Sequence, residues 1–429
     1  MNEQRDGSNL NLMDENQEVS EPIKQINHVK FVLSGKEKVL AVLLFPIAYI
    51  YCAMLWEWGV TARILLGVFT CLFLGFVEAM LWESKRTFES ALFLVLTAII
   101  GVSYTFEIGN VWEAECKFLF LHLFAVYFIM CRGDLLAKGE TSHLFAYDGI
   151  NGFCLLPFGN FSLWFKTLHE TILGGRKQSS KKIVSSVVAC VLGVTLFAMA
   201  MAFLKHSDAN FEALLSCFKI EWNARYIWRI ILSVPIACYL YGLIGGGMRT
   251  RREQIREHGE TICRGISKLN KVPGGVWIAF IILFSIFYLL FFGIQGSYIL
   301  DAFSMLLPEK YTFSEYARKG FGDMCAVMVI NFVLMWLTFR TSEQKSKLLK
   351  GCGTLLMGES LVFALIAFLK LYMYIEAYGF TPLRLQSVWL VVVLSYACIC
   401  ILIHMFTGKK TAKYWFDGSA MTLALLTLF

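Results

Sequence analysis

Glu359 stands inside the apolar run LLMGESLVF, eight residues past Gly351. At 1.5 Å of rise per residue that is roughly 12 Å into a helix. An ionisable side chain at such depth in a membrane is costly and marks a functional position by default. Asn331 lies eleven residues into the preceding antiparallel run, at comparable depth, and could hydrogen-bond to it. Asp323 and Lys370 match in depth near the other end of the same pair and carry opposite charges. Such a set suits a polar interior through which a solute passes. It equally suits helix–helix adhesion, where interhelical polar contacts average about 0.6 kcal/mol.

A second group falls in three polar segments between apolar runs: LKHSDANFEALL, YTFSEYARKGFGDM and IEAYGFTPLRLQSVW. Thr312 with Glu315 forms a capping box, and Tyr311 with Tyr316 a hydrophobic staple, which together start a helix. Gly379 suits the position just past a helix end, and Thr381 caps the next helix with Pro382 in its first turn. Local chemistry leaves Asp208, Tyr316, Arg318, Tyr378 and Arg384 without a role. Arg318 and Arg384 either pair with Asp208, Glu315 or Glu376 as a lid over the helix ends, or bind an anionic group.

The elements that must position these residues are membrane spans. Of 429 residues, 57% are apolar and only 17% charged. A soluble domain carries roughly a quarter charged residues and under half apolar ones. A spanning helix needs about 20 mostly apolar residues. Runs near 39–57, 60–82, 88–106, 116–131, 183–204, 226–248, 273–293, 320–339, 351–374, 385–406 and 413–429 qualify, the fourth and last being the weakest. The expected fold is all-α: a polytopic transmembrane helical bundle of about 11 spans. With the N-terminus inside, 28 Lys and Arg fall in cytoplasmic segments and 9 outside. Basic residues concentrate in cytoplasmic loops, so the N-terminus is placed in the cytoplasm.

Four regions follow. Residues 1–38 form a flexible cytoplasmic tail, with no basic head and apolar core of a signal peptide. Residues 39–131 make a four-span unit. Residues 132–182 make a cytoplasmic loop holding a helix that lies in the interface, with Phe161, Trp164, Phe165, Leu168 and Ile172 on one face and Asn160 as its N-cap. Residues 183–429 make a multi-span membrane domain. The basic inner segment 249–271 is explained by topology, or by contact with anionic lipid headgroups.

Several chemistries find no support. The thirteen cysteines are scattered through apolar runs without a CxxC pair, so neither a disulfide framework nor a metal site is expected. TGKKTAK lacks the glycine and hydroxyl positions of a phosphate-binding loop. No HExxH or GxSxG occurs. The basic residues follow membrane topology and not a nucleic-acid footprint. No cofactor is implied, and the chain is read as not an enzyme.

SDANF, SEYARKGF and AYGFTPLRL, in this order and separated by spans, resemble the signatures of a large bacterial family of polytopic membrane proteins. That family is catalogued only as a domain of unknown function. The resemblance covers roughly residues 180–429 and implies a multi-pass protein of the bacterial cytoplasmic membrane, in contact with the lipid bilayer, with no established substrate. The expected function is that of a small-solute transporter or permease. The alternative is a membrane sensor or accessory subunit reading an extracytoplasmic ligand.

Overall fold

The computed structural model describes residues 35–84, 86–132, 135, 141–173, 193, 196, 197, 200, 224–246, 265, 272–294, 320–342 and 346–429. All the regular elements among them are helices. The first four are α1 (Gly35–Leu55), α2 (Gly59–Met80), α3 (Phe88–Thr105) and α4 (Ala114–Met130). Thr87 starts α3 by a reciprocal capping box: its hydroxyl accepts from the Ser90 N–H and the Ser90 hydroxyl accepts from the Thr87 N–H.

A partly buried insertion follows. It runs through α5 (Phe145–Ile150), a π-helical turn (Asn151–Leu155), α6 (Leu156–Gly159) and α7 (Leu163–Leu173). The sequence reading made this a cytoplasmic loop with a helix lying in the interface. The helix is there, but its aromatic face meets protein. Trp164 is 4% exposed and its indole N–H donates to the Ala41 carbonyl of α1 at 2.8 Å. Asn160 does not cap α7 from its side chain; its amide donates to the Leu156 carbonyl of α6. Next in the chain, α8 (Ala224–Gly246) runs so close to α6 that a Cβ on Gly242 would stand 2.6 Å from the Pro157 carbonyl oxygen.

The remaining helices are α9 (Gly274–Ile294), α10 (Phe321–Thr341), α11 (Lys347–Tyr378), α12 (Pro382–Thr407) and α13 (Ala412–Leu426). The turn between α11 and α12 follows local chemistry. Gly379 takes the left-handed φ of +75° that ends α11, and Pro382 opens α12. Thr381 stands in the extended N-cap conformation, but its hydroxyl makes no cap bond.

Two apolar cores result. The first joins α1 to α8 with α13; the second joins α9 to α12. The chain therefore returns at its end. α13 leaves the second bundle and packs on α3, where the Ser103 hydroxyl donates to the Thr427 carbonyl. Across the seam Trp112 and Trp389 meet edge to face at 5.8 Å, and the Trp415 indole donates to the Val393 carbonyl.

Eight described helices are long and apolar enough to cross a membrane: α1, α2, α3, α8, α9, α10, α11 and α12. Of the about eleven runs expected, eight are thus found as such helices among the described residues. α4 and α13 sit where the fourth and last runs were placed, but at 17 and 15 residues they are shorter. Most of the run 183–204 lies outside the described residues, as do nearly all of the 1–38 tail and of the basic segment 249–271.

Candidate functional site

α11 has 32 residues, about 48 Å of helix against a hydrocarbon core of about 30 Å. Glu359 stands near its middle. α9 is turned outward along most of its surface, with Phe280, Leu283, Phe287 and Leu290 exposed. Only Ile281 and Ser285 of α9 are buried, one helical turn apart, and Tyr288 continues the stripe. That stripe faces Glu359.

Glu359 is 4% exposed. Its Oε2 accepts from the Ser285 hydroxyl at 2.9 Å, and its Oε1 meets no hydrogen-bond partner among the described residues. Asn331 of α10 is fully buried beside it. It does not bond to Glu359. Its Oδ1 accepts from the Tyr288 hydroxyl at 2.8 Å, and its Nδ2 donates to Ser360 Oγ at 2.9 Å. Ser360 in turn donates to the Leu356 carbonyl. Two short networks thus sit side by side across three helices, each donating from α9. One is satisfied throughout. The other leaves one carboxylate oxygen open, which is expensive in a dry interior. Buried methionines (Met324, Met328, Met335, Met357, Met405) fill the same core.

Asp323 and Lys370 are not part of this cluster. Asp323 is exposed in the first turn of α10, where the helix dipole favours a negative charge. No ion pair joins it to Lys370 among the described residues.

Of the second group, Asp208, Glu315, Tyr316 and Arg318 lie outside the described residues, along with the SDANF segment, Tyr311, Thr312 and all of SEYARKGF but Gly320 and Phe321. The rest is in view. The Arg384 guanidinium lies 4.0 Å from the Tyr374 ring centroid and 5.7 Å from that of Tyr378, and donates to the Gly379 carbonyl. The two tyrosines meet edge to face at 5.4 Å. Arg384 therefore ties α12 back onto α11. Glu376 is exposed and makes no ion pair with it.

Sequence reasoning missed a third polar cluster, at the opposite end of the bundle. Glu89 is 2% exposed and pairs with Lys413 at 2.9 Å, joining α3 to α13. The Thr141 N–H donates to the other oxygen of Glu89, and Thr141 also bonds the Tyr127 hydroxyl. Arg132, 3% exposed, donates to Glu78, Ser84 and the Leu81 carbonyl. His143 lies on this end face as well. Burial of part of its ring and the charges of Arg340, Lys410 and His404 hold its imidazole below the ordinary value. Arg229 is 7% exposed and paired with Glu57 at 2.5 Å.

No group of His, Cys, Asp and Glu among the described residues is arranged to hold a metal ion. No curated protein and no solved structure matches the chain. Residues 92–429 match the family Domain of unknown function (DUF4153), a wider stretch than the three motifs cover. The chain belongs to the DUF4153 family.

Proposed function

We propose that this multi-pass membrane protein is a permease-like carrier of a small solute, with Glu359 as the ionisable group of its translocation site. One observation carries the reading: a carboxyl group buried midway along α11, held at one oxygen by Ser285 and open at the other. A carboxylate that only glues helices gains by satisfying both oxygens. One that exchanges a proton or cation needs an oxygen free, and intramembrane carboxylates are the usual groups of proton relays. Two features support it. α9 covers the site with a single narrow stripe, so little packing opposes its displacement. The methionines of the core between α9 and α12 can repack at low cost.

The Lys and Arg asymmetry favours a cytoplasmic N-terminus. The face carrying Arg132, His143 and Lys410 is then cytoplasmic, and the Arg384 turn lies outside. We place the protein in the bacterial cytoplasmic membrane, with the inner basic segments against anionic headgroups. The sensor reading draws less support, because Arg384 is engaged by its own hairpin.

Dicyclohexylcarbodiimide, which attacks protonated carboxyl groups in apolar surroundings, tests the assignment. Reconstituted protein should be modified at Glu359, more at pH 5.5 than at pH 8 by the chemistry of a titrating carboxyl group. If Glu359 reacts only after denaturation, the site does not exchange protons and the reading fails.

A further inference from the structure

A cavity of about 400 Å³ lies within the first bundle, walled by α1, α2, α3, α4, the π-turn and α6 region, and α8. Pockets for small molecules run from about 300 to 1,000 Å³, and an engineered apolar cavity of about 150 Å³ already takes up benzene. Thr70 of α2, Thr97 of α3 and His122 of α4 each lie close to the middle of their helices. The cavity therefore sits at mid-bilayer depth. No Asp, Glu, Lys or Arg lines it, and five phenylalanines do. Phe158 is 63% exposed and Pro235 is exposed, whereas Thr97, Val126 and Leu243 are buried, which sets the mouth between α6 and α8.

The polar atoms along the wall specify the occupant. Thr70 donates to the Leu66 carbonyl at 2.7 Å and Thr97 to the Phe93 carbonyl at 2.6 Å. Tyr239 donates to the Phe153 carbonyl at 3.0 Å. His122 Nδ1 is 2.7 Å from the Phe118 carbonyl, so that nitrogen carries the proton. Its Nε2 is then an acceptor, and Tyr51 donates to it at 2.9 Å. Every donor of these five side chains is spent. A ligand with a carbonyl, carboxylate or phosphate would find no hydrogen bond here and would lose its hydration. A hydrocarbon would lose nothing and would fill aromatic walls.

We propose that this cavity binds one hydrocarbon chain of a bilayer lipid, entering from the membrane past Phe158 and Pro235. The headgroup stays outside, and the Tyr51–His122 pair forms part of the wall without contacting a polar group of the ligand. Such a chain would wedge the α6–α8 contact, where Gly242 allows the closest backbone approach.

The test uses the full chain in phosphatidylcholine vesicles containing a phosphatidylcholine with a diazirine near one chain end. Irradiation followed by peptide mass spectrometry reads where the chain sits. Labelling should concentrate on the Phe153–Phe161 segment and on α8 near Pro235, at least about ten-fold above Phe287 of α9, a preference worth about 1.4 kcal/mol. Phe287 is the control, being 60% exposed on an outward helix face. Ala125→Phe, which fills the cavity from α4, should reduce wall labelling to the Phe287 level and leave Phe287 unchanged. Ala125→Leu should reduce it part way, and serves if the larger side chain prevents folding. The proposal is overturned by wall labelling no higher than at Phe287, by labelling unchanged in the filled variants, or by equal wall labelling with a tail-less benzoquinone diazirine.

Discussion

Ser285 donates its hydroxyl to Glu359 Oε2 across 2.9 Å, and among the described residues this is the only hydrogen bond the buried carboxyl group makes. It ties α9, the least embedded of the eight described candidate spans, to the centre of α11. Ser285→Ala should therefore loosen α9 and leave a buried carboxyl group without a donor, at a cost of about 1–3 kcal/mol. Ser285→Ala combined with Glu359→Leu should recover most of that loss, because replacing both partners by apolar groups removes the unmet demand. Thermal unfolding in one detergent compares the two variants.

Arg384 lies over the Tyr374 ring and reaches the Gly379 carbonyl. Arg384→Ala should cost about 0.5–1 kcal/mol, the value of a cation–π contact at an exposed site. The loss should be local. Hydrogen exchange should rise at Phe380–Leu385 and stay unchanged near Glu359. If exchange rises equally at both places, Arg384 does more than fasten the hairpin.

Lys413 meets the buried Glu89 carboxylate at 2.9 Å and holds α13 against α3. Removing one partner of a buried ion pair costs about 3–5 kcal/mol. Lys413→Ala should approach that range and Glu89→Gln should cost less, since the amide carries no charge. Protease sensitivity near Thr407–Lys413 gives an independent reading of whether α13 has come away.

His143 is held below its ordinary pKa by partial burial and positive neighbours. The folded chain therefore binds its proton less readily than the unfolded chain, whose imidazole titrates near about 6.5. Stability contributed by the neutral form is full above that pH and falls as the pH drops below it. Wild type should lose more melting temperature than His143→Gln between pH 7 and pH 5. An identical loss in both would show that other groups set the acid limit.

The main features of this fold are legible in the sequence where a residue contradicts its surroundings. Glu359 in LLMGESLVF and Asn331 in MVINFVL stand out because charge and amide do not belong in lipid. Their partners do not stand out. Ser285 and Tyr288 in ILFSIFYLL are tolerated anywhere in a span, so only the packing of α9 on α11 reveals them. Glu89 stands in the first turn of α3, where an acidic residue is ordinary, and its pairing depends on α13 returning from the far end of the chain. The α5–α6 insertion read as loop, whereas in place Gly152 allows close approach to α4 and Gly242 of α8 allows close approach to Pro157. Register between distant helices follows from side-chain complementarity that a single run does not encode.

The most direct test of the transport reading is uptake by sealed vesicles of a panel of small labelled solutes under an imposed proton gradient, comparing wild type with Glu359→Gln. The glutamine keeps the volume and the Ser285 bond and removes the titrating proton. The account predicts at least one solute whose entry is driven by the gradient in wild type and falls at least about ten-fold in the variant, with thermal unfolding unchanged. Gradient-driven uptake that survives Glu359→Gln, or a folded wild-type protein that moves none of the panel, would contradict it.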